Sequence, residues 1–145
     1  MIKIYRKKIV WSEKETQLFS DKIEQRRQNN LLRTENKKVW VRSFTTGRLL
    51  HHALCHYLEL EEQETPAFQI GYGENGKPFL LDYKGVHYNL SHSGDWILCA
   101  VSDQPVGIDI QQKSSMRRGL CDRVFSEEEK KLWQGKETDA IFFPI

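Results

Sequence analysis

The spacing of apolar residues changes at Pro66, and this change restricts the possible folds more than any other feature of the chain. Over residues 38–59, apolar side chains recur near the 3.6-residue period of a helix. After Pro66, short apolar runs follow one another and are separated by turn residues such as Asn75-Gly76. A long helix followed by several short strands predicts an α+β fold in which helices and a sheet form two layers.

The N-terminal part of the chain predicts one strand and two helices. Isoleucines alternate with lysines at the start, which is typical of a strand over residues 2–10. Ser12 and Glu15 fit the S-x-x-E capping pattern and predict a helix over about 13–28. The second helix contains Gly47, which costs about 1 kcal/mol relative to alanine. Such a glycine allows the close approach either of a neighbouring element or of a ligand.

The second half of the chain predicts several strands and then a new helical unit. Residues 95–103 and 106–110 are apolar runs joined by Gln104-Pro105, which is typical of a hairpin. We divide the chain into an N-terminal subdomain, residues 1–104, and the start of a second subdomain, residues 105–145. The expected strands lie at 67–72, 79–81, 87–90, 95–103 and 106–110, and helical regions begin near Ser115 and Ser126.

Length and composition favour a globular protein of the cytoplasm. No apolar run approaches the roughly 20 residues that cross a bilayer, and the N-terminus lacks the apolar core of a secretory signal. The three cysteines have no zinc-binding spacing, so we expect free thiols in or near the core. A net charge of +2 is too small to define a nucleic-acid binder. The cations between Lys22 and Arg48 form a basic segment that suits phosphates or an acidic protein partner.

An aspartate lies within the last predicted strand. Asp109 is flanked by isoleucines and shares one face of that strand with Gln111. A buried carboxylate is costly unless it is paired or binds a metal, and these two side-chain oxygens suit a hard cation such as Mg²⁺. The alternative is an edge strand with Asp109 in solvent or in an ion pair.

The segment Asn89-Leu90-Ser91-His92-Ser93-Gly94 groups hydroxyls, an imidazole and a glycine after a short strand. As a turn it would aim donors at an anion, although a plain polar turn has the same composition. Adjacent residues such as Ser91 and His92 rarely reach the geometry of a nucleophile and its base, which disfavours a hydrolase. Lys77, held extended by the proline that follows it, and Arg42 are either phosphate contacts or solvated surface cations.

These segments, in their order along the chain, resemble the Sfp-type 4′-phosphopantetheinyl transferases. The resemblance covers nearly the whole chain, and its most specific parts are N-x-S-H-S-G and G-I-D-I. The family fold has two similar α/β halves, so the chain would form the N-terminal half of this pseudo-dimer and the beginning of the second half. The matching segments are Arg42-Ser43 before Gly47, Gly76-Lys77-Pro78, Asn89 to Gly94, Val106 to Ile110 and Phe125 to Glu129.

The resemblance implies an enzyme that transfers 4′-phosphopantetheine from coenzyme A to a serine of an apo acyl or peptidyl carrier protein. It implies that Asp109, together with Gln111, binds the magnesium that bridges the pyrophosphate. It also implies that His92 contacts the pyrophosphate or the neighbouring 3′-phosphate, and that Asp109 and His92 are the catalytic residues. The expected partner is an acidic carrier protein.

The resemblance further assigns residues to coenzyme A itself. Ser91 and Lys77 would help to hold coenzyme A, and Arg42 would lie at its 3′-phosphate. Arg26 or Arg27 would assist. These roles agree with the anion-binding chemistry that the same side chains suggest on their own.

Two departures from the family pattern bear on activity. Gln111 stands where the family often has an acidic residue, and an amide oxygen can ligate magnesium but cannot accept a proton as a carboxylate would. The family's W-x-x-K-E motif is absent, and Lys136-Glu137 lies too early and lacks the tryptophan. We therefore expect a truncated chain whose open apolar face favours self-association. The alternative function is a non-catalytic module that binds coenzyme A or a carrier protein.

Overall fold

The computed structural model describes residues 1–105 and the backbone of Ile141–Pro144, and within them a long helix lies across a four-stranded sheet. The elements are β1 Ile2–Lys8, α1 Glu13–Phe19, a 3₁₀ helix Ser20–Lys22, α2 Gln25–Arg33, α3 Lys37–Leu58, β2 Ile70–Tyr72, β3 Pro78–Leu80, β4 His87–Ser93, β5 Trp96–Ser102 and β6 Ile141–Pro144. The large sheet has the strand order β4-β5-β1-β6, and β2 pairs with β3 in a separate hairpin.

The core lies between α3 and the large sheet. β5 pairs antiparallel with both β1 and β4, and β6 runs parallel to β1. Removing apolar side chains from water is the main stabilising term, at roughly 25 cal/mol per Å². The predicted two-layer α+β fold is confirmed. The buried side chains shared by the two layers include Tyr5, Leu49, Leu50, Ala53, Leu54, Ile97, Cys99 and Val101.

The helix predicted over residues 13–28 is wrong as a single element, because the chain bends at Ile23. α1 ends at Phe19, a 3₁₀ turn follows, and Ile23 is extended with φ −76° and ψ 141° before α2 begins. Ile23 is fully buried against α3, and burying this side chain accounts for the bend. The predicted N-terminal cap is confirmed, because Ser12 Oγ accepts a hydrogen bond from the N–H of Glu15 at 3.2 Å.

Gly47 is a packing position on α3. A Cβ atom there would lie 2.7 Å from Cγ2 of Ile23 and 2.8 Å from Cδ of Arg27. Of the two interpretations of this glycine, the structure therefore supports the close approach of a neighbouring element. The missing side chain lets the bend before α2 rest directly on α3.

The variant Gly47→Ala is expected to lose about 1 kcal/mol of unfolding free energy. Overpacking a core costs roughly 1–3 kcal/mol, and the higher helix propensity of alanine returns about 1 kcal/mol. Urea denaturation followed by circular dichroism measures the change. Gly85→Ala is the control, because no heavy atom lies within 4 Å of a Cβ at Gly85. Equal losses in the two variants would contradict the packing role.

Two of the three cysteines confirm the expectation of free thiols in the core. Cys55 and Cys99 are both buried, and neither forms a disulfide. Burial raises the pKa of Cys55 to about 11 and raises the pKa of Cys99 as well, so both stay protonated near neutral pH. These two side chains therefore act as small apolar groups.

Part of the chain lies outside the described residues, including several predicted features. Within the described residues, no helix has the length and apolar character needed to cross a membrane. The features that lie outside are Cys121, the apolar run 106–110 and the helical regions expected near Ser115 and Ser126.

Candidate functional site

The segment predicted as a polar turn is instead the end of strand β4. Ser91 and His92 pair with β5, and the turn itself is Gly94-Asp95, where Gly94 has a φ of 58°. β4 continues beyond the predicted strand 87–90 because β5 offers an unbroken pairing partner as far as Trp96. The backbone of Ser91 and His92 therefore belongs to the sheet and does not form a loop around an anion.

Ser91 and His92 point to opposite faces of the sheet, because neighbouring residues alternate along a strand. His92 is exposed and shares its face with Tyr88, which packs in the core beneath α3. Ser91 is partly buried and shares the other face with Asn89. A phosphate bound on one face of β4 therefore contacts one of the two side chains. The same geometry excludes Ser91 and His92 as an adjacent nucleophile and base.

Arg42 lies on the part of α3 that extends beyond the sheet. Its side chain is exposed and follows the same helical stripe as Leu49, which packs in the core. Glu15 contacts both Lys7, near the end of β1, and Arg48 on α3. This end of the sheet therefore lies beside Arg48. At 1.5 Å per residue, Arg42 lies about 9 Å farther along the helix axis. Arg42 therefore projects past the end of the sheet on the side that α3 covers.

Lys77 follows the tight turn of the β2–β3 hairpin, as predicted. Gly76 has a φ of 77°, and the N–H of Gly73 donates to the carbonyl of Lys77 at 2.9 Å. The Lys77 side chain is exposed. Tyr72, at the base of this turn, lies beneath the guanidinium of Arg26, whose central carbon is 4.4 Å from the ring centre. The hairpin turn is thus beside the first residues of α2.

Arg27 packs α2 against α3. Its Nε atom lies 3.0 Å from Oε1 of the buried Glu24, and its NH1 group donates to Oγ of Ser43 at 3.2 Å. Since Ser43 follows Arg42 in the chain, these contacts also fix α2 beside the exposed part of α3. Of the two arginines expected to assist at the site, Arg27 thus has partners within the protein, whereas Arg26 lies at the surface.

Arg48 is not part of a basic surface, although it ends the basic segment. It is 6% exposed, its NH1 lies 2.6 Å from Oε1 of Glu62, and its Nε lies 3.6 Å from Oε1 of Glu15. His52, whose Nδ1 lies 3.1 Å from Oε1 of Glu62, and the pairing with Arg48 hold the pKa of Glu62 at about 2, against burial, which raises it. Sequence spacing offers no signal for this network, because its members lie on α1, on α3 and after α3.

Arg42, Lys77 and His92 belong to elements on the side of the sheet that α3 covers. Arg42 and Lys77 lie on elements that contact the start of α2, through Ser43 with Arg27 and through Tyr72 with Arg26. His92 shares its face of β4 with Tyr88, which packs in the core beneath α3. An anion with several phosphates can contact side chains from α3, the hairpin and β4 on this side.

The predicted metal ligands, Asp109 and Gln111, lie outside the described residues. In the part of the chain that the structure describes, no three His, Cys, Asp or Glu side chains are grouped so as to hold a metal ion. The exposed cations Arg42 and Lys77, which are among the described residues, suit the binding of an anion.

Comparison with known proteins finds relatives that are named 4′-phosphopantetheinyl transferases. No family model matches the chain. It is 40% identical over 99 residues to the 4′-phosphopantetheinyl transferase psf-1 of Bacillus pumilus, covering 66% of this chain and 42% of that protein. It is 27% identical over 128 residues to the 4′-phosphopantetheinyl transferase Sfp of Bacillus subtilis strain 168, covering 88% and 56%.

A third relative gives the same result. The chain is 32% identical over 122 residues to the 4′-phosphopantetheinyl transferase gsp of Aneurinibacillus migulanus, covering 84% of this chain and 49% of that protein. The chain thus spans about half the length of the curated relatives that it matches.

Proposed function

The chain is related to the Sfp-type 4′-phosphopantetheinyl transferases over part of their length, and from this premise we propose that it binds coenzyme A and takes part in the transfer of 4′-phosphopantetheine to a carrier protein. The observation that supports the proposal most is the position of Arg42, Lys77 and His92 on one side of the sheet. Three cationic or polar groups on that side of the sheet suit a ligand with a pyrophosphate and a further phosphate.

Each of these side chains has a proposed contact on coenzyme A. Arg42 binds the 3′-phosphate, Lys77 helps to hold the nucleotide end, and His92 contacts the pyrophosphate or the 3′-phosphate. Ser91 faces the other side of β4, which is an edge strand of the sheet that the described residues form. Ser91 therefore contacts a ligand that extends around this edge of the sheet.

Magnesium and its ligands belong to the same proposal. Asp109 and Gln111 would hold the ion, and the bound ion would neutralise charge on the pyrophosphate. We also propose that residues 1–104 form the N-terminal subdomain of the family fold and that residues 105–145 begin the second.

The proposed reaction is a substitution at the phosphorus atom of coenzyme A that carries the pantetheine arm. The carrier serine oxygen forms a new bond to this phosphorus atom, and the bond to the bridging oxygen breaks. Adenosine 3′,5′-bisphosphate leaves with the bridging oxygen, and a general base takes the serine proton. Arg42, Lys77 and His92 stabilise negative charge as it develops on the leaving group.

The proposed protein partner is an acidic carrier protein of the cytoplasm. Exposed cations on α2 and on the first turns of α3 support this choice, because they attract an acidic surface at long range. The exposed cations are Arg26, Arg33, Lys37, Lys38 and Arg42.

We also propose that the chain associates with itself. Exposed apolar side chains such as Trp11 support this proposal, and sedimentation velocity tests it.

A carrier protein incubated with this chain, coenzyme A and Mg²⁺ is expected to gain the mass of one phosphopantetheine group. Mass spectrometry measures the gain, and it should vanish when the carrier serine is replaced by alanine. Binding of coenzyme A in calorimetry without transfer would contradict the enzyme and support the non-catalytic module. If the chain neither binds coenzyme A nor transfers the group, this result contradicts the proposed function altogether.

A further inference from the structure

An aromatic ring beside the turn that carries Lys77 contacts α2. The guanidinium of Arg26, in the first turn of α2, lies over the ring of Tyr72 at 4.4 Å. Tyr72 is paired with Pro78, the residue after Lys77. The position of Lys77 is therefore linked to α2 through Tyr72.

The β2–β3 hairpin is anchored in the core at its base and is more exposed toward its tip. At the base, Phe68 and Leu80 are buried in the core, and the N–H of Leu81 donates to the carbonyl of Gln69. Toward the tip, Tyr72 is 39% exposed. Each strand has three residues, and a two-stranded hairpin of this kind is marginally stable alone in water. A contact near the tip is therefore needed to order it.

The partner of Tyr72 is itself held in place. Arg27, next to Arg26, joins Glu24 and Ser43 and so fixes the first turn of α2 against α3. Because this turn is fixed, Arg26 offers a stationary surface to the Tyr72 ring. An arginine over an aromatic face is attracted by the ring quadrupole even at exposed sites.

We infer that the Arg26–Tyr72 stack orders the tip of the β2–β3 hairpin and thereby positions Lys77 for its phosphate contact. Arg26 and Tyr72 are positioning residues that act through Lys77. The inference rests on the proposed function for the identity of the ligand, coenzyme A. The ordering of the hairpin does not depend on any ligand and is tested separately.

Hydrogen exchange in the ligand-free protein tests the ordering. The N–H of Gly73 donates to the carbonyl of Lys77 and the N–H of Gly76 to the carbonyl of Gly73, so these two amides report on the turn. Exchange there is expected to be about two- to fivefold faster in Tyr72→Leu and in Arg26→Gln. Tyr72→Phe, which keeps an aromatic face, should exchange like the unmodified protein.

Two exchange results would overturn the inference. Unchanged exchange in both Tyr72→Leu and Arg26→Gln would show that the stack does not order the turn. Faster exchange in Tyr72→Leu alone would show that the ring packs against the hairpin without help from the arginine.

A double-mutant cycle tests whether the stack acts through Lys77. Calorimetry of coenzyme A is expected to show affinity losses of about two- to fivefold for Tyr72→Leu and for Arg26→Gln. In the Lys77→Ala background, the same two variants should cause almost no further loss. A full, additive loss for Arg26→Gln in that background would instead make Arg26 a direct phosphate contact and overturn its positioning role.

The two experiments separate the inference from the proposed function. If the unmodified chain binds no coenzyme A, the proposed function fails, and with it the phosphate role of Lys77. The exchange experiment still decides whether Arg26 and Tyr72 order the hairpin.

Discussion

The variant Asp109→Ala is expected to abolish the effect of Mg²⁺ on coenzyme A binding and to lower the transfer rate about 100-fold or more. In the proposed site Asp109 is a magnesium ligand beside the pyrophosphate. Removing a single group that stabilises developing charge typically costs a factor of about 10²–10³ in rate. Calorimetry with Mg²⁺ and with a chelator measures binding, and mass spectrometry of the carrier protein measures transfer.

A matched control for this variant is Asp103→Ala. The Asp103 side chain is 63% exposed and lies 3.4 Å from the N-terminal amine of Met1, so its loss removes a surface ion pair. Such pairs contribute little to stability. Asp103→Ala should bind coenzyme A and respond to Mg²⁺ like the unmodified protein. If Asp109→Ala still binds coenzyme A more tightly with Mg²⁺ than without it, the metal assignment is wrong.

The variant Arg48→Met is expected to lower the free energy of unfolding by about 3 kcal/mol. The Arg48 guanidinium is buried between Glu62 and Glu15 and lies 3.7 Å above the ring of Phe19. Breaking a buried pair costs roughly 3–5 kcal/mol, because the remaining charge keeps its desolvation without its partner. The lower end applies here, since the two carboxylates are partly exposed. Urea denaturation at neutral pH measures the change.

Arg33→Met is the control for Arg48→Met. Arg33 lies on the exposed side of α2 and donates to Oδ1 of Asn30 at 2.7 Å. A surface change of this kind usually alters stability by less than about 0.5 kcal/mol. Similar losses in Arg33→Met and Arg48→Met would contradict a special role for the buried network.

The same network predicts how stability changes in acid. His52 and Arg48 hold the pKa of Glu62 at about 2 in the folded protein, below its ordinary value of 4.5. The unfolded state therefore binds more protons in this range, and the contribution of Glu62 is lost as the pH falls from about 4.5 to 2. Arg48→Met should show a shallower loss over this range. An identical pH dependence in both proteins would contradict the pairing.

The long helix and most strands could be predicted from local pattern. The sequence predicts this helix over 38–59, and α3 lies at Lys37–Leu58, because its apolar stripe spans many turns. The hairpin turn at Asn75-Gly76 follows from the conformational freedom of glycine at a positive φ. Capping by Ser12 follows from a side chain that reaches a backbone group three residues away.

The site was less accessible to prediction. Ser91 and His92 were expected in a turn, and their place on opposite faces of β4 follows from pairing with β5. The bend at Ile23 depends on packing against α3. No capping signal in the sequence near Ile23 predicts this bend.

The amino-acid order alone thus specified the type of most elements, the Ser12 cap and the set of candidate anion-binding side chains, because each depends on residues within a few positions of one another. Which of those side chains share a face, the burial of Arg48 between two carboxylates and the contact of Arg26 with Tyr72 were settled by the fold. These features join residues far apart in the chain, and their geometry comes from packing and strand register, which no local pattern contains.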